Sequence, residues 1–142
     1  MTSDACLLND IYQNARMGIQ SIPQLIEMTD DQKFREVLKD QMAEYQTIAS
    51  TAEIMLAQRK EKPEEIGSMA KISSYLMTEM KTMTDKSVSH MADMMIQGNT
   101  MGMTAIIRNM REHEDADIGA TSLAEKLLAT AEHNVSEMKN FL

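Results

Sequence analysis

Hydrophobic residues recur every three or four positions over most of the chain, which predicts long amphipathic helices. In segment A, residues 4–28, the repeating apolar positions are Leu8, Ile11, Ala15, Ile19, Ile22 and Ile26. Pro23 falls inside this pattern but off its apolar face. Because proline removes one backbone hydrogen bond, we expect segment A to be a single helix with a kink.

Segment B begins at Thr29-Asp30-Asp31-Gln32, a capping box whose side chains can bond the free amides of a first helical turn. Its apolar stripe is Phe34, Val37, Leu38, Tyr45, Ile48, Ala52, Met55 and Leu56. A charged stretch at residues 59–65 with Pro63 inside it ends the helix. The short link between A and B predicts antiparallel neighbours.

Three more helical segments follow. A short segment spans residues 67–83, and Thr84-Asp85 resembles a cap for segment C, which runs to about His113. A loop at residues 115–121 precedes a second capping box at Ser122, which predicts the start of segment D. The apolar positions of D are Leu123, Leu127, Ala131, Val135, Met138 and Leu142. The pattern predicts one all-α domain over residues 1–142.

The order of these segments resembles the ferritin-like four-helix bundle. In both, two helices are followed by a long connection with its own short helix and then by two further helices. The opening Leu7-Leu8-Asn9-Asp10-Ile11 is similar to the start of small bacterial ferritin-like families, including uncharacterised and spore-coat ones. The close, residues 132–138, is similar to their last helix. The resemblance covers nearly the whole chain. It implies a di-metal site with one Glu from each of two helices and a Glu-x-x-His from each of the others.

The carboxylates that such a site needs are missing from the helix centres. Segment A has no acidic residue at positions 11–26, and segment C has none at positions 94–111. Glu44 and Glu132 are the nearest counterparts in B and D, but neither is followed by a histidine three positions on. Gln41 lies on the stripe of B, where an amide cannot supply a carboxylate's charge. We therefore interpret Glu44 and Glu132 as vestigial di-iron positions and expect apolar inward faces.

Segment C has an apolar arc wider than a surface helix needs. Its polar residues fall on one narrow opposite arc: His90, Asp93, Gln97, Thr100, Thr104, Arg108 and Arg111. Asn99 is the obvious polar residue inside the apolar arc, and Gly98-x-x-x-Gly102 would permit close approach of another helix. Either the short crossover helix covers segment C, or segment C forms an oligomer interface.

Methionine is unusually frequent, with 16 in the chain and ten of them between Met69 and Met110. One interpretation is core filling, because methionine adapts to irregular gaps. Another is a Cu(I) site, because thioethers are soft ligands. Its candidate ligands are Met77, Met80, Met83, Met91, Met94, Met95 and His90. A third interpretation is an adaptable surface for protein partners.

Composition narrows the class of partner. A net charge of −8 with 4% aromatic residues and no Trp argues against nucleic acid and anionic membranes. The longest uncharged run, residues 94–107, is too short to span a bilayer. Cys6 is the only cysteine, so no internal disulfide forms. With no secretory signal visible, we expect a cytoplasmic protein.

Three functional hypotheses follow. The first is a non-catalytic bundle that acts through self-association along segment C or through a protein partner, with no cofactor. The second is a methionine-rich protein that binds or stores copper as Cu(I). The third is a ferritin-like oxidoreductase with iron or manganese at unrecognised ligands. The first leads because it needs nothing that the sequence lacks, so the chain is more readily interpreted as a binding protein than as an enzyme.

Overall fold

The computed structural model describes residues 1–64 and 69–142. Over these residues the chain forms five helices and no strand, which confirms the all-α prediction. They are α1 (Ser3–Met28), α2 (Gln32–Gln58), α3 (Ala70–Thr82), α4 (Val88–Glu112) and α5 (Ile118–Lys139). The predicted start of the short segment at Gly67 and the end of the charged stretch at Glu65 lie outside the described residues. In the described helices no stretch is long and apolar enough to cross a membrane.

Two helices begin a few residues later than their capping motifs suggested. The N-cap of α2 is Asp31, whose Oδ1 accepts a hydrogen bond from the Phe34 amide at 2.8 Å. Thr29 instead ends α1 and accepts a bond from the Asp31 amide. In the same way, Asp85 accepts a bond from Ser87, and Ser87 is the N-cap of α4. An Asx or Thr turn therefore precedes each true cap.

The predicted start of α5 at Ser122 was wrong. Asp117 is the N-cap, and its Oδ1 accepts a hydrogen bond from the Ala120 amide at 2.9 Å. The sequence suggested a loop here because of Gly119. A glycine in a first helical turn is tolerated when an aspartate caps that turn. Asp117 also binds Arg59 at 2.5 Å, which joins the end of α2 to the start of α5.

Four long helices surround the core. α1 lies along α2 and also contacts α4 and α5, while α4 packs against α5. α1 continues through Pro23 as one helix. The largest fully buried side chains are Phe34, Leu7, Leu8, Ile11, Ile22, Leu25, Leu38, Ile48, Leu56, Met91, Ile106 and Leu127. Burial of these side chains supplies most of the driving force for folding.

The short helix α3 lies mainly on α4. A Cβ added at Gly98 would lie 3.0 Å from the Leu76 side chain of α3. A Cβ at Gly102 would lie 3.2 Å from Asn14 Oδ1 of α1. Gly98 therefore permits the close approach of α3, and Gly102 permits that of α1. This confirms the predicted close approach of another helix to segment C. Part of the wide apolar arc of α4 is covered by α3, as the first alternative for segment C required.

Candidate functional site

The centre of the bundle holds one uncharged polar side chain from each long helix. Asn14 comes from α1, Tyr45 from α2, Asn99 from α4 and Asn134 from α5, and all four are buried. Apart from these and a few other buried polar groups, the surrounding core is aliphatic and methionine-rich. The expectation of apolar inward faces was therefore wrong in α1 and α5, where Asn14 and Asn134 take inward positions, whereas Asn99 lies inside the apolar arc of α4 as predicted.

The Tyr45 hydroxyl joins three helices. It donates a hydrogen bond to Asn99 Oδ1 at 2.5 Å and accepts one from Asn134 Nδ2 at 3.1 Å. Asn99 Nδ2 in turn donates to the Met95 carbonyl at 2.8 Å. We call Tyr45, Asn99 and Asn134 the core network. Because these buried polar atoms satisfy one another, they avoid the cost of burying an unpaired donor or acceptor.

Asn14 links α1, the remaining long helix, to α4 at the same level of the bundle. Its Nδ2 donates to the Gly102 carbonyl at 3.0 Å, which joins α1 to α4. A cavity of about 30 Å³ lies beside it and is lined in part by Ser21, Asn99 and Gly102. This volume holds one or two water molecules, since one water needs about 10–15 Å³ of this measure. It does not hold a substrate.

The side chains of the core network are uncharged at neutral pH. Burial raises the pKa of Tyr45 to about 12, and the hydrogen bond from Asn134 opposes this only in part. The phenol therefore keeps its proton at neutral pH. The hydroxyl lies between two buried amides, those of Asn99 and Asn134.

The residues proposed from the sequence for a di-metal site do not enter the core. Glu44 and Glu132 lie on exposed faces of α2 and α5. Gln41 is buried, also as predicted. Nowhere in residues 1–64 and 69–142 do three His, Cys, Asp or Glu side chains come close enough together to hold a metal ion.

The structure brings most copper candidates into the core but not all. Five of them are buried in the core cluster, to which α3 and the four long helices contribute: Met80, Met83, Met91, Met94 and Met95. Met77 is 37% exposed, and its Sδ lies 3.7 Å from Gln24 Nε2. His90 is half-buried at the start of α4. These positions also suit ordinary core packing.

A carboxyl group and an imidazole lie close together at one end of the bundle. His113 Nε2 of α4's C-cap is 3.8 Å from Asp10 Oδ2 of α1. Burial raises the pKa of Asp10 to about 6, His113 lowers it, and Glu112 raises it further. The side chain of His113 is only 21% exposed. The two residues are far apart in sequence, so only the packing of α4 on α1 reveals the pair.

No family model, curated protein or solved structure matches the chain. The assignment of a function therefore depends on the geometry of these residues.

Proposed function

We propose that this protein is a non-catalytic, ferritin-like helical bundle that acts through self-association or through a protein partner. The observation that carries the proposal is the core network. In a ferritin-like bundle the inward mid-helix positions hold Glu and His ligands. Here neutral amides and a phenol take inward positions on all four long helices. Such groups neither exchange protons at neutral pH nor supply the anionic oxygens that iron prefers.

The hydrogen bonds of the core network give it a structural role. Each of its side chains has a partner on another helix, so the network favours one arrangement of α2, α4 and α5. Function then depends on the outer surface, because a shared fold can lose a site and keep its scaffold. We propose the outer side of α3 and α4 as the contact surface for a second copy. Met77 and Ile107 are exposed large hydrophobic side chains on these helices.

Analytical ultracentrifugation from micromolar to millimolar protein tests self-association. We expect a dimer or larger species. Met77→Glu combined with Ile107→Glu should raise its dissociation constant at least about tenfold, because a charge enters an apolar contact. Ile54→Glu is the matched control, since Ile54 is exposed on α2. A monomer at every concentration, or equal effects of the control, would contradict this contact.

Copper binding is a second candidate, favoured by the burial of five candidate methionines in and next to α3 and α4. Anaerobic titration with Cu(I) against a competing chelator tests it. Stoichiometric binding that Met91→Leu with Met95→Leu abolishes would support a thioether site, since leucine keeps the volume of methionine. Met138→Leu on α5 is the control. Metal analysis of protein purified without chelator also measures bound iron and manganese. The Glu44→Ala substitution should leave the iron and manganese content unchanged.

A further inference from the structure

The outer face of α4 carries a row of exposed side chains that is complementary to itself. Its members are Asp93, Gln97, Thr100, Thr104, Ile107 and Arg111. They are separated by steps of four, three, four, three and four residues, the spacing that keeps one line of a helix against a partner helix. We call this set the α4 row. From Asp93 to Arg111 it extends about 27 Å along the helix.

The charges of the α4 row lie at its opposite ends. Asp93 is acidic, Arg111 is basic, and the four residues of the row between them are uncharged. A parallel second copy would set like charges against each other at both ends, which is repulsive. An antiparallel second copy sets each aspartate against an arginine, and it also opposes the two helix dipoles favourably. The charge pattern therefore favours the antiparallel orientation.

One register matches the whole row. Three pairs of residues are each centred on position 102: Asp93 with Arg111, Gln97 with Ile107, and Thr100 with Thr104. A two-fold axis at this level brings all three pairs together twice, because a two-fold contact uses the same surface of both copies. Gly102 itself lies on the opposite side of α4, where its carbonyl accepts a hydrogen bond from Asn14. Met101 and Met103, both half-buried, flank the row at its centre and add apolar area.

Polar groups in the middle of the row already have partners in their own chain. Thr100 Oγ1 donates to the Ile96 carbonyl at 2.8 Å, and Thr104 Oγ1 donates to the Thr100 carbonyl at 3.1 Å. Gln97 Oε1 accepts a hydrogen bond from the Tyr75 hydroxyl of α3 at 2.8 Å. A second copy can therefore cover these groups without removing their hydrogen bonds, which keeps the cost of burying them small.

We propose that the α4 row packs antiparallel against the α4 row of a second copy, about a two-fold axis level with Gly102. The inference rests on the proposed self-association through α3 and α4, and it adds the helix, the register and the orientation of the contact. Because the row contains one large apolar side chain, Ile107, and a charge at each end, the dimer should be weak and sensitive to salt.

Exchange of the charges tests the orientation. In analytical ultracentrifugation at low ionic strength, Asp93→Arg and Arg111→Asp should each raise the dissociation constant at least about tenfold, because like charges then face each other. The double variant should regain the parent affinity, since each pair is again opposite in charge. Glu132→Arg on α5 is the matched control, because Glu132 is also exposed and the net charge changes equally.

The outcomes separate this contact from self-association in general. A dimer that responds equally to Asp93→Arg and Glu132→Arg would overturn the antiparallel row and leave self-association through another surface. A double variant that stays as weak as the single ones would do the same. A parent protein that is monomeric up to millimolar concentration would overturn both proposals.

Cysteine cross-linking tests the register. In a Cys6→Ser background, a mixture of Thr100→Cys and Thr104→Cys chains should form a disulfide dimer in oxidised glutathione faster than either variant alone. The reason is that position 100 of one copy faces position 104 of the other, within reach of a disulfide. Faster cross-linking of Thr100→Cys with itself would indicate a parallel pair and refute the register.

Discussion

The centre and the end of the bundle bury polar groups in different ways. At the centre, Tyr45, Asn99 and Asn134 are neutral and satisfy one another across three helices. At the end, Asp10 is an acid beside His113, and burial raises its pKa to about 6. Charged groups lose more free energy than neutral groups when they leave water. The side chain of Asp10 is still 17% exposed, whereas Asn134 is 1% exposed. The comparison leads us to expect that this bundle tolerates a carboxylate only where solvent reaches it.

Placing an acidic side chain at the centre of the bundle should have the largest effect on the free energy of unfolding. Asn99→Asp would place a carboxylate among the core network without a cation to pair with it. We expect a loss of about 3–5 kcal/mol in the free energy of unfolding at pH 7. Burial should raise the pKa of the new acid in the folded state, so the loss should be smaller near pH 4. Urea unfolding at both pH values measures this.

The control is an acid on the outer face of the same helix. Gln97 is exposed on α4, and its Oε1 accepts a hydrogen bond from Tyr75. Gln97→Glu keeps that acceptor and should change stability by no more than about 0.5 kcal/mol, even beside Asp93. A similar loss in both variants would show that the centre is no less tolerant of charge than the surface.

Removing a neutral group from the centre should cost less. Tyr45→Phe deletes the hydroxyl and leaves Asn99 Oδ1 and Asn134 Nδ2 without this partner. We expect a loss of about 1–3 kcal/mol, because two buried polar atoms become unpaired. Tyr75→Phe is the matched control, since its hydroxyl bond to Gln97 is exposed. Chemical denaturation of both variants gives the comparison, and equal losses would mean that the core network adds nothing beyond a surface bond.

Helical periodicity was sufficient to predict the order of the helices. The stripes of A and B, the burial of Gln41 and the close approach at Gly98 and Gly102 are all confirmed. Each depends on residues within one helix, whose face follows from a repeat of 3.6 residues. The start of α5 was missed because Gly119 suggested a loop, whereas Asp117 caps a helix whose first turn contains that glycine.

The core network could not be predicted in the same way. Asn14 follows Ile11 by three positions and Asn134 follows Ala131 by three, so each shares a helix face with a stripe residue. Periodicity, however, gives only the face and not the partner helix. Whether two buried amides meet depends on the rotation and level of helices far apart in sequence. Tyr45 and Asn134 are 89 positions apart, and Asn14 and Gly102 are 88 apart. A polar residue on a stripe is therefore the signal to look for, but its partner becomes visible only in the structure.

Removal of the Asp10 carboxyl group at the end of the bundle should have the smallest effect on the free energy of unfolding. Because the folded-state pKa of Asp10 is raised from 3.8 to about 6, the folded protein holds this proton more tightly than the unfolded chain. The contribution to stability is complete below pH 3.8 and is lost as the pH rises through about 6. Asp10→Asn should therefore stabilise the protein at pH 7 by about 1 kcal/mol, with solvent screening included.

The pH profile decides whether this gain comes from the charge. Asp10→Asn should gain stability at pH 7 and lose that advantage by about pH 4, where the wild-type carboxyl is protonated when folded. His113→Gln should do the reverse at pH 7, because it removes the group that lowers the Asp10 pKa. Thermal unfolding across this range measures both. A gain in Asp10→Asn that is independent of pH would mean that the carboxylate is not penalised by burial, and the contrast between centre and end would then rest on the core network alone.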